Sequence, residues 1–307
     1  MILCCGEALI DMLPRESTQG EPAFAPYAGG AVFNSAIALG RLGVPTEFFS
    51  GLSSDMFGAQ LMAALAASQV GTRHAAISAR PTTLAFVHLV DGHATYVFYD
   101  EGTAGRMLAE TELPELSDDI EAMLFGAISL IPEPCGSTYE ALMRREHGRR
   151  VMMLDPNIRP AFIPDRASHA ARIERMMEMA DIVKLSDEDL AWFGETSAPE
   201  ELIASWLRRG PKLIVLTRGS KGAVAFTATR RVEVASQRVA VVDTVGAGDT
   251  FNAGLLASLH DQGLLRKDAF DDLSEQAIRA ALELGTRAAA VTVSRAGANP
   301  PWRHELA

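Results

Sequence analysis

Several patterns that announce a nucleotide or metal site are missing from this chain. No Gly-Lys pair occurs anywhere, which excludes a Walker-type phosphate loop. A dinucleotide fingerprint also fails, because Phe251 stands where a third glycine would follow Gly246 and Gly248. Cysteine is scarce and odd in number: Cys4 and Cys5 are adjacent and Cys135 stands alone, so neither a disulfide framework nor a zinc site fits. The seven histidines show no metal-ligand spacing. No apolar run approaches the ~18 residues of a membrane span, and no basic leader precedes the first apolar run, so the expected compartment is the cytoplasm. Basic residues are outnumbered 28 to 39, and a net charge of −11 argues against a nucleic-acid surface.

What is present suits one large α/β unit. The 307 residues are 48% hydrophobic, enough for a sizeable core. Short apolar runs alternate with helical patterns: residues 2–10, then 33–42, then 48–52, then 58–70. Later strand patterns at 125–130, 150–154, 181–184 and 212–217 are separated by helical patterns near 137–147 and 168–179. This is the rhythm of a parallel sheet with helical crossovers. Residues 83–90, an Asp91-Gly92 turn signal and residues 94–99 break the rhythm and predict a β-hairpin. Together with the Pro-rich segment 14–26 it would form a small flap. A last helix is expected over 273–290, running into residues 291–293. No linker or repeat divides the chain, so a single domain over 1–307 is expected, with lid elements near 12–27 and 82–102.

The most specific stretch is Asp243-Thr244-Val245-Gly246-Ala247-Gly248-Asp249, directly before a helical pattern that starts near Thr250. A helix start has unpaired N–H groups and a partial positive charge, so Gly246, Ala247 and Gly248 can wrap a migrating phosphoryl group. Asp249 would then face the acceptor hydroxyl as its base. A plain glycine turn with a capping Asp is the alternative.

These residues resemble the C-terminal signature of the PfkB, or ribokinase-like, family of carbohydrate kinases. A second segment, Gly29-Gly30-Ala31-Val32-Phe33-Asn34 and onward to Gly43, resembles the family's N-terminal motif. The resemblance implies a ribokinase-like three-layer α/β/α fold with a mostly parallel central sheet and a small β-flap. It implies that Gly29, Gly30 and Asn34 receive a sugar, and that Asp11, in Gly6-Glu7-Ala8-Leu9-Ile10-Asp11, grips a diol from the end of the first strand. Residues 51–58 resemble a structural turn of the family, and residues 216–222 its nucleotide-phosphate turn. The nucleotide contacts so implied are Lys184, Ser186, Asp189, Thr217, Gly219 and Gly222. Relatives often carry Asn and Glu where this chain has Ser186 and Asp189, groups that organise magnesium-bound water. Magnesium-ATP is therefore expected, with no side chain assigned as a direct metal ligand and a monovalent cation left open. Ser186 and Asp189 could equally open a helix at 188–193.

Within the family, residues 125–134 and 155–160 resemble bacterial fructokinases and the neighbouring 2-keto-3-deoxygluconate kinases. Tyr96 and Phe98 would close an apolar wall over the sugar, and Arg159 could reach sugar or phosphate. Asp100 stands where the keto-acid kinases commonly carry an Arg that pairs with the substrate carboxylate, so the resemblance implies D-fructose as acceptor. The keto acid is the alternative, with Arg106 and Arg159 as its carboxylate partners. A non-catalytic sugar sensor is the alternative from another class, though Asp249 and the Gly-Ala-Gly run are retained. Family members often dimerise through the flap, so a homodimer is expected.

Overall fold

The computed structural model describes residues 1–90, 93–194 and 199–306, so the expected Asp91-Gly92 turn lies outside the described residues. The first half runs β1 (Ile2–Cys5), β2 (Leu9–Glu16), β3 (Pro22–Gly29), α1 (Ala31–Arg41), β4 (Thr46–Phe49), β5 (Gly51–Ser53), α2 (Met56–Ala67), β6 (Val70–Gly71), β7 (Ala76–Ser78), β8 (Leu84–Val90) and β9 (His93–Tyr99). The second half runs β10 (Ala122–Gly126), α3 (Cys135–Glu146), β11 (Val151–Asp155), α4 (Arg166–Met179), β12 (Ile182–Ser186), α5 (Asp187–Phe193), α6 (Pro199–Leu207), β13 (Leu213–Thr217), β14 (Ala223–Phe226), β15 (Arg231–Val234), α7 (Ala247–Asp261) and α8 (Glu275–Val293).

Nine strands form the main sheet in the order β15-β14-β13-β12-β11-β10-β1-β4-β6, parallel from β13 through to β6. Alternation along each strand divides its buried residues between two cores. Ile2, Cys4 and Leu124 face one core with Phe33 of α1, Leu255 of α7 and Leu282 of α8. Leu3, Cys5 and Phe125 face the other with Tyr139 of α3, Ile173 of α4 and Trp206 of α6. Both faces are covered by helices, which is why these strands read as continuous apolar runs, and the result is the three-layer α/β/α arrangement.

β1 lies between β4 and β10, so the chain builds outward on one side and then returns to build on the other. In open parallel sheets such a reversal leaves a crevice at the C-terminal ends of the strands, where ligands bind. A separate four-stranded sheet, in the order β3-β2-β8-β9, stands beside it as the flap.

Three expected boundaries move. The run 2–10 splits into β1 of the main sheet and β2 of the flap, with the chain leaving the main sheet at Gly6. The run 48–52 divides in the same way, β4 in the main sheet and β5 paired with β7. The strand expected at 125–130 lies at Ala122–Gly126, because Ala127 takes a left-handed φ of +61° that turns the chain out of the sheet.

The flap is fastened at its root by Asp55, the N-cap of α2. Its carboxylate accepts Gly58 N–H at 2.7 Å, Thr82 N–H at 2.8 Å and the Thr82 hydroxyl at 2.6 Å. Asp55→Ala removes a cap and the anchor of the residues before β8 together, so the expected loss is about 1–3 kcal/mol in urea unfolding. A loss within the error of the fit would contradict this role.

Candidate active site

α7 begins at the crevice. Gly246 is its N-cap with φ +76°, a left-handed conformation that strains any L side chain, and an added Cβ there would stand 2.8 Å from Ala298 Cβ. The loop before it is held by Asp243, whose carboxylate accepts Val245 N–H at 3.0 Å and Gly297 N–H at 2.9 Å. The N–H groups of the first turn are thus presented on a fixed frame. Lys184, from β12, lies directly below: an added Cβ at Gly248 would stand 3.1 Å from its Nζ. Asp155 Oδ2, at the end of β11, accepts from Lys184 Nζ at 3.1 Å and from Asn252 Nδ2 at 2.6 Å. Burial works against the Lys184 ammonium, but Asp155, Asp189 and Asp249 outweigh it and hold it charged.

Asp249 occupies the first turn of α7 and is only 7% exposed. Its Oδ2 accepts Asn34 Nδ2 at 2.9 Å, and its backbone oxygen accepts the Ser35 hydroxyl at 3.1 Å, joining α7 to α1. Burial pushes its carboxyl up to about 7, helped by the negative charges of Asp155 and Glu7 and opposed by Asn34 and Lys184. A carboxylate titrating there is poised for general base work near neutral pH.

Asn34, Lys184, Gly246, Gly248 and Asp249 line one cleft of about 360 Å³ with Asp11, Gly30, Tyr96, Phe98, Arg159 and Ala247, and Asp155 and Asn252 support it from outside its lining. Asp11 sits on β2 of the flap, not at the end of the first strand as expected, because the apolar run it closes belongs to two strands. Burial raises its carboxyl to about 6. Gly29 is outside the cleft lining; a Cβ there would collide with the Asp11 carboxylate, so its contribution is space. Tyr96 and Phe98, two residues apart on β9, face the cleft together, with ring centroids 6.4 Å apart, and Phe98 meets Phe162 edge-on at 4.7 Å. Arg159 is exposed at the mouth and donates to Ile158 O at 3.0 Å.

Like Gly29, the five residues named as nucleotide contacts other than Lys184 are not among those lining the cleft. Ser186 and Asp189 form a capping box at the start of α5, and the second Asp189 oxygen accepts Ile158 N–H at 2.7 Å. Thr217 pairs in register with Ser186 at the end of β13, and Gly219 and Gly222 take positive φ in the turn that follows, further along the same sheet edge. Asp100 holds Arg106 in an ion pair at 3.0 Å. Three residues without an assigned role in the sequence also belong here: Glu7, Asp155 and Asn252. Asn252 is three residues after Asp249 on one helix face, and Asp155 ends a strand pattern, which are the signals they left.

The chain matches the model for the pfkB family of carbohydrate kinases over residues 1–305. It is 62% identical over 279 residues to a fructokinase of Rhizobium leguminosarum bv. trifolii, covering 91% of this chain and 86% of that protein. Among solved structures it resembles the fructokinase from Xylella fastidiosa with bound ATP, with a TM-score of 0.90 and 30% identity over 99% of this chain and 97% of that one. It also resembles the fructokinase from Vibrio cholerae O395 in its fructose, ADP and calcium ion bound form, with a TM-score of 0.83 and 26% identity over 97% and 94% of the two chains.

A carboxyl raised by folding gives the folded state a proton that the unfolded chain releases. Stability therefore falls as pH rises from the ordinary carboxylate range through about 7, where Asp249 must ionise in its buried site. Asp249→Asn removes that cost, so its Tm at pH 8 is expected to exceed the wild type by about 2–4 °C, with the gap closing toward pH 5. Differential scanning calorimetry at the two pH values reads this, and a variant less stable at pH 8 would contradict it.

Proposed function

The chain belongs to the pfkB family of carbohydrate kinases, and we propose that it transfers the γ-phosphoryl group of ATP to the primary C6 hydroxyl of D-fructose. The observation that carries this reading is the single cleft in which Asp249 and the first turn of α7 meet Asp11, Gly30 and Asn34. Asp249 takes the hydroxyl proton as the oxygen attacks phosphorus. The turn of Gly246, Ala247 and Gly248 wraps the oxygens that gain charge, with the Ala247 N–H exchanging its 3.3 Å bond to Thr244 O for the phosphoryl group, and the Lys184 ammonium below Gly248 adds a positive charge. Asp11 and Asn34 hold the sugar, the Tyr96 and Phe98 rings cover it, and Arg159 approaches from the mouth.

The donors at this helix start suit a polyphosphate anion. On this reading the nucleotide runs along the sheet edge past Ser186 and Asp189 toward Thr217, Gly219 and Gly222, a course supported by the turn that follows β13 at that edge. Among the described residues no group of three or more His, Cys, Asp or Glu side chains could hold a metal. Both Asp189 oxygens accept backbone N–H groups, so magnesium would be carried by the phosphates and water.

Fructose is preferred to 2-keto-3-deoxygluconate because Asp100 neutralises Arg106, the cation that would otherwise meet a substrate carboxylate on that side, while Lys184 at the cleft floor is already paired with Asp155. We assign the reaction to the cytoplasm and to one catalytic domain with a lid. The three cysteines are free and buried, and among the described residues no helix is long and apolar enough to cross a membrane. The lid face turned from the cleft carries Phe24, Val97 and Tyr99, 47%, 51% and 61% exposed, with Phe86 in edge contact with Phe24 and Tyr99. A second copy of the lid offers the same apolar surface in return, which supports a homodimer.

Asp249→Asn is expected to lower kcat by about 10³-fold or more while D-fructose affinity changes by less than about threefold. Near-normal turnover would remove Asp249 as the base. With magnesium-ATP, kcat/KM is expected to be far higher for D-fructose than for 2-keto-3-deoxygluconate; the reverse order would assign a substrate carboxylate to Arg159 or Arg106. Tyr99→Asp is expected to shift the sedimentation coefficient from dimer to monomer, and an unchanged coefficient would count against the lid interface.

A further inference from the structure

Glu7 lies in the turn between β1 and β2 and has no part in the scheme above. Its Oε1 accepts Ala31 N–H at 2.7 Å and Val32 N–H at 3.4 Å, and its Oε2 accepts Ser129 N–H at 3.4 Å. The N-cap of α1 is Gly30, which has no side chain to offer, so the cap arrives through space from another segment. The approach is close: a Cβ at Gly30 would stand 2.8 Å from Glu7 O and 3.2 Å from Glu7 Cγ. Gly30 also lines the sugar cleft and starts the turn that carries Asn34, whose N–H donates to Gly30 O at 2.8 Å.

We propose that Glu7 is a positioning residue for phosphoryl transfer: it pins the first turn of α1 so that Asn34 stays on Asp249 and Gly30 stays against the sugar. The path runs from Glu7 through the Ala31 and Val32 N–H groups to Asn34 Nδ2, and from there to Asp249 Oδ2. A second effect acts through charge. The groups facing Asp249 are Asn34 from α1, Lys184 from β12, Asp155 at the end of β11, and Glu7, and the negative charge of Glu7 strengthens the hold of Asp249 on its proton. Glu7 itself is pushed up to about 7 by burial, against the lowering pull of its backbone N–H partners.

The inference rests on Asp249 being the base and fructose the acceptor, so one readout is independent of both. Glu7→Ala is expected to speed amide hydrogen exchange across residues 31–36, to weaken D-fructose binding by roughly tenfold in calorimetry and to leave the KM for ATP within about threefold. Glu7→Gln keeps an acceptor for the Ala31 N–H and loses the charge. It is expected to bind D-fructose within about threefold of wild type, with the acid limb of kcat/KM moved to lower pH. A folded Glu7→Ala protein with wild-type exchange across 31–36 overturns the positioning role, and a Glu7→Gln acid limb superimposed on the wild type overturns the charge effect. Wild-type protein that does not bind D-fructose, alongside faster exchange in Glu7→Ala, would overturn the choice of sugar and uphold the pinning of α1.

Discussion

Everything around the cleft follows from keeping an ionisable carboxylate, Asp249, in a dry place at the start of a helix. Burial alone makes such a group hold its proton, and the surrounding charges set how tightly. Lys184 pulls toward ionisation, Asp155 and Glu7 push against it, and Asn34 bonds the charged form. Lys184 is itself buried and stays charged because Asp155, which bonds it and is bonded by Asn252, acts together with Asp189 and Asp249 against that burial. Removing one partner of such a pair leaves the other as an uncompensated buried charge, so the network is sensitive to single changes.

The main sheet makes this arrangement possible. Parallel strands end at one edge, so β1, β10, β11 and β12 deliver Glu7, Ala127, Asp155 and Lys184 to neighbouring places although the chain separates them widely. α1 and α7 pack against each other on one face of that sheet, and their first turns meet at the cleft, where Asn34 donates to Asp249. The flap adds Asp11, Tyr96 and Phe98 from above. A sugar held between a rigid edge and a separate small sheet is sheltered from water, which limits loss of the phosphoryl group to hydrolysis.

The parallel sheet was legible because buried strands and covering helices write a simple alternation, and the helix start at Asp249 was legible because its residues are contiguous. Where two strands of different sheets share one apolar run, as in residues 2–10, periodicity alone does not separate them, and Asp11 therefore lies on the flap strand β2 and not at a strand end of the main sheet. The spacing of Ser186 and Asp189 suits a helix cap as well as a nucleotide contact, since both readings use a polar residue followed by an acid three positions later. Asp155 with Asn252, and Glu7 with Ala31, meet only in three dimensions, across 97 and 24 residues, and no local pattern records such a pairing. The Asp100–Arg106 bond joins residues six apart in a loop, where the spacing by itself implies no contact.

The central claim is that one buried carboxylate at the start of α7 removes the proton of the sugar hydroxyl. Its most direct test is the pH dependence of kcat/KM for D-fructose with saturating magnesium-ATP. The account requires an acid limb of unit slope with a midpoint near the value of about 7 set for Asp249 by its burial. A profile that stays flat from pH 5 to pH 9, ~2 units to either side, would show that no group titrating near neutrality controls the transfer, and the account of Asp249 would fail.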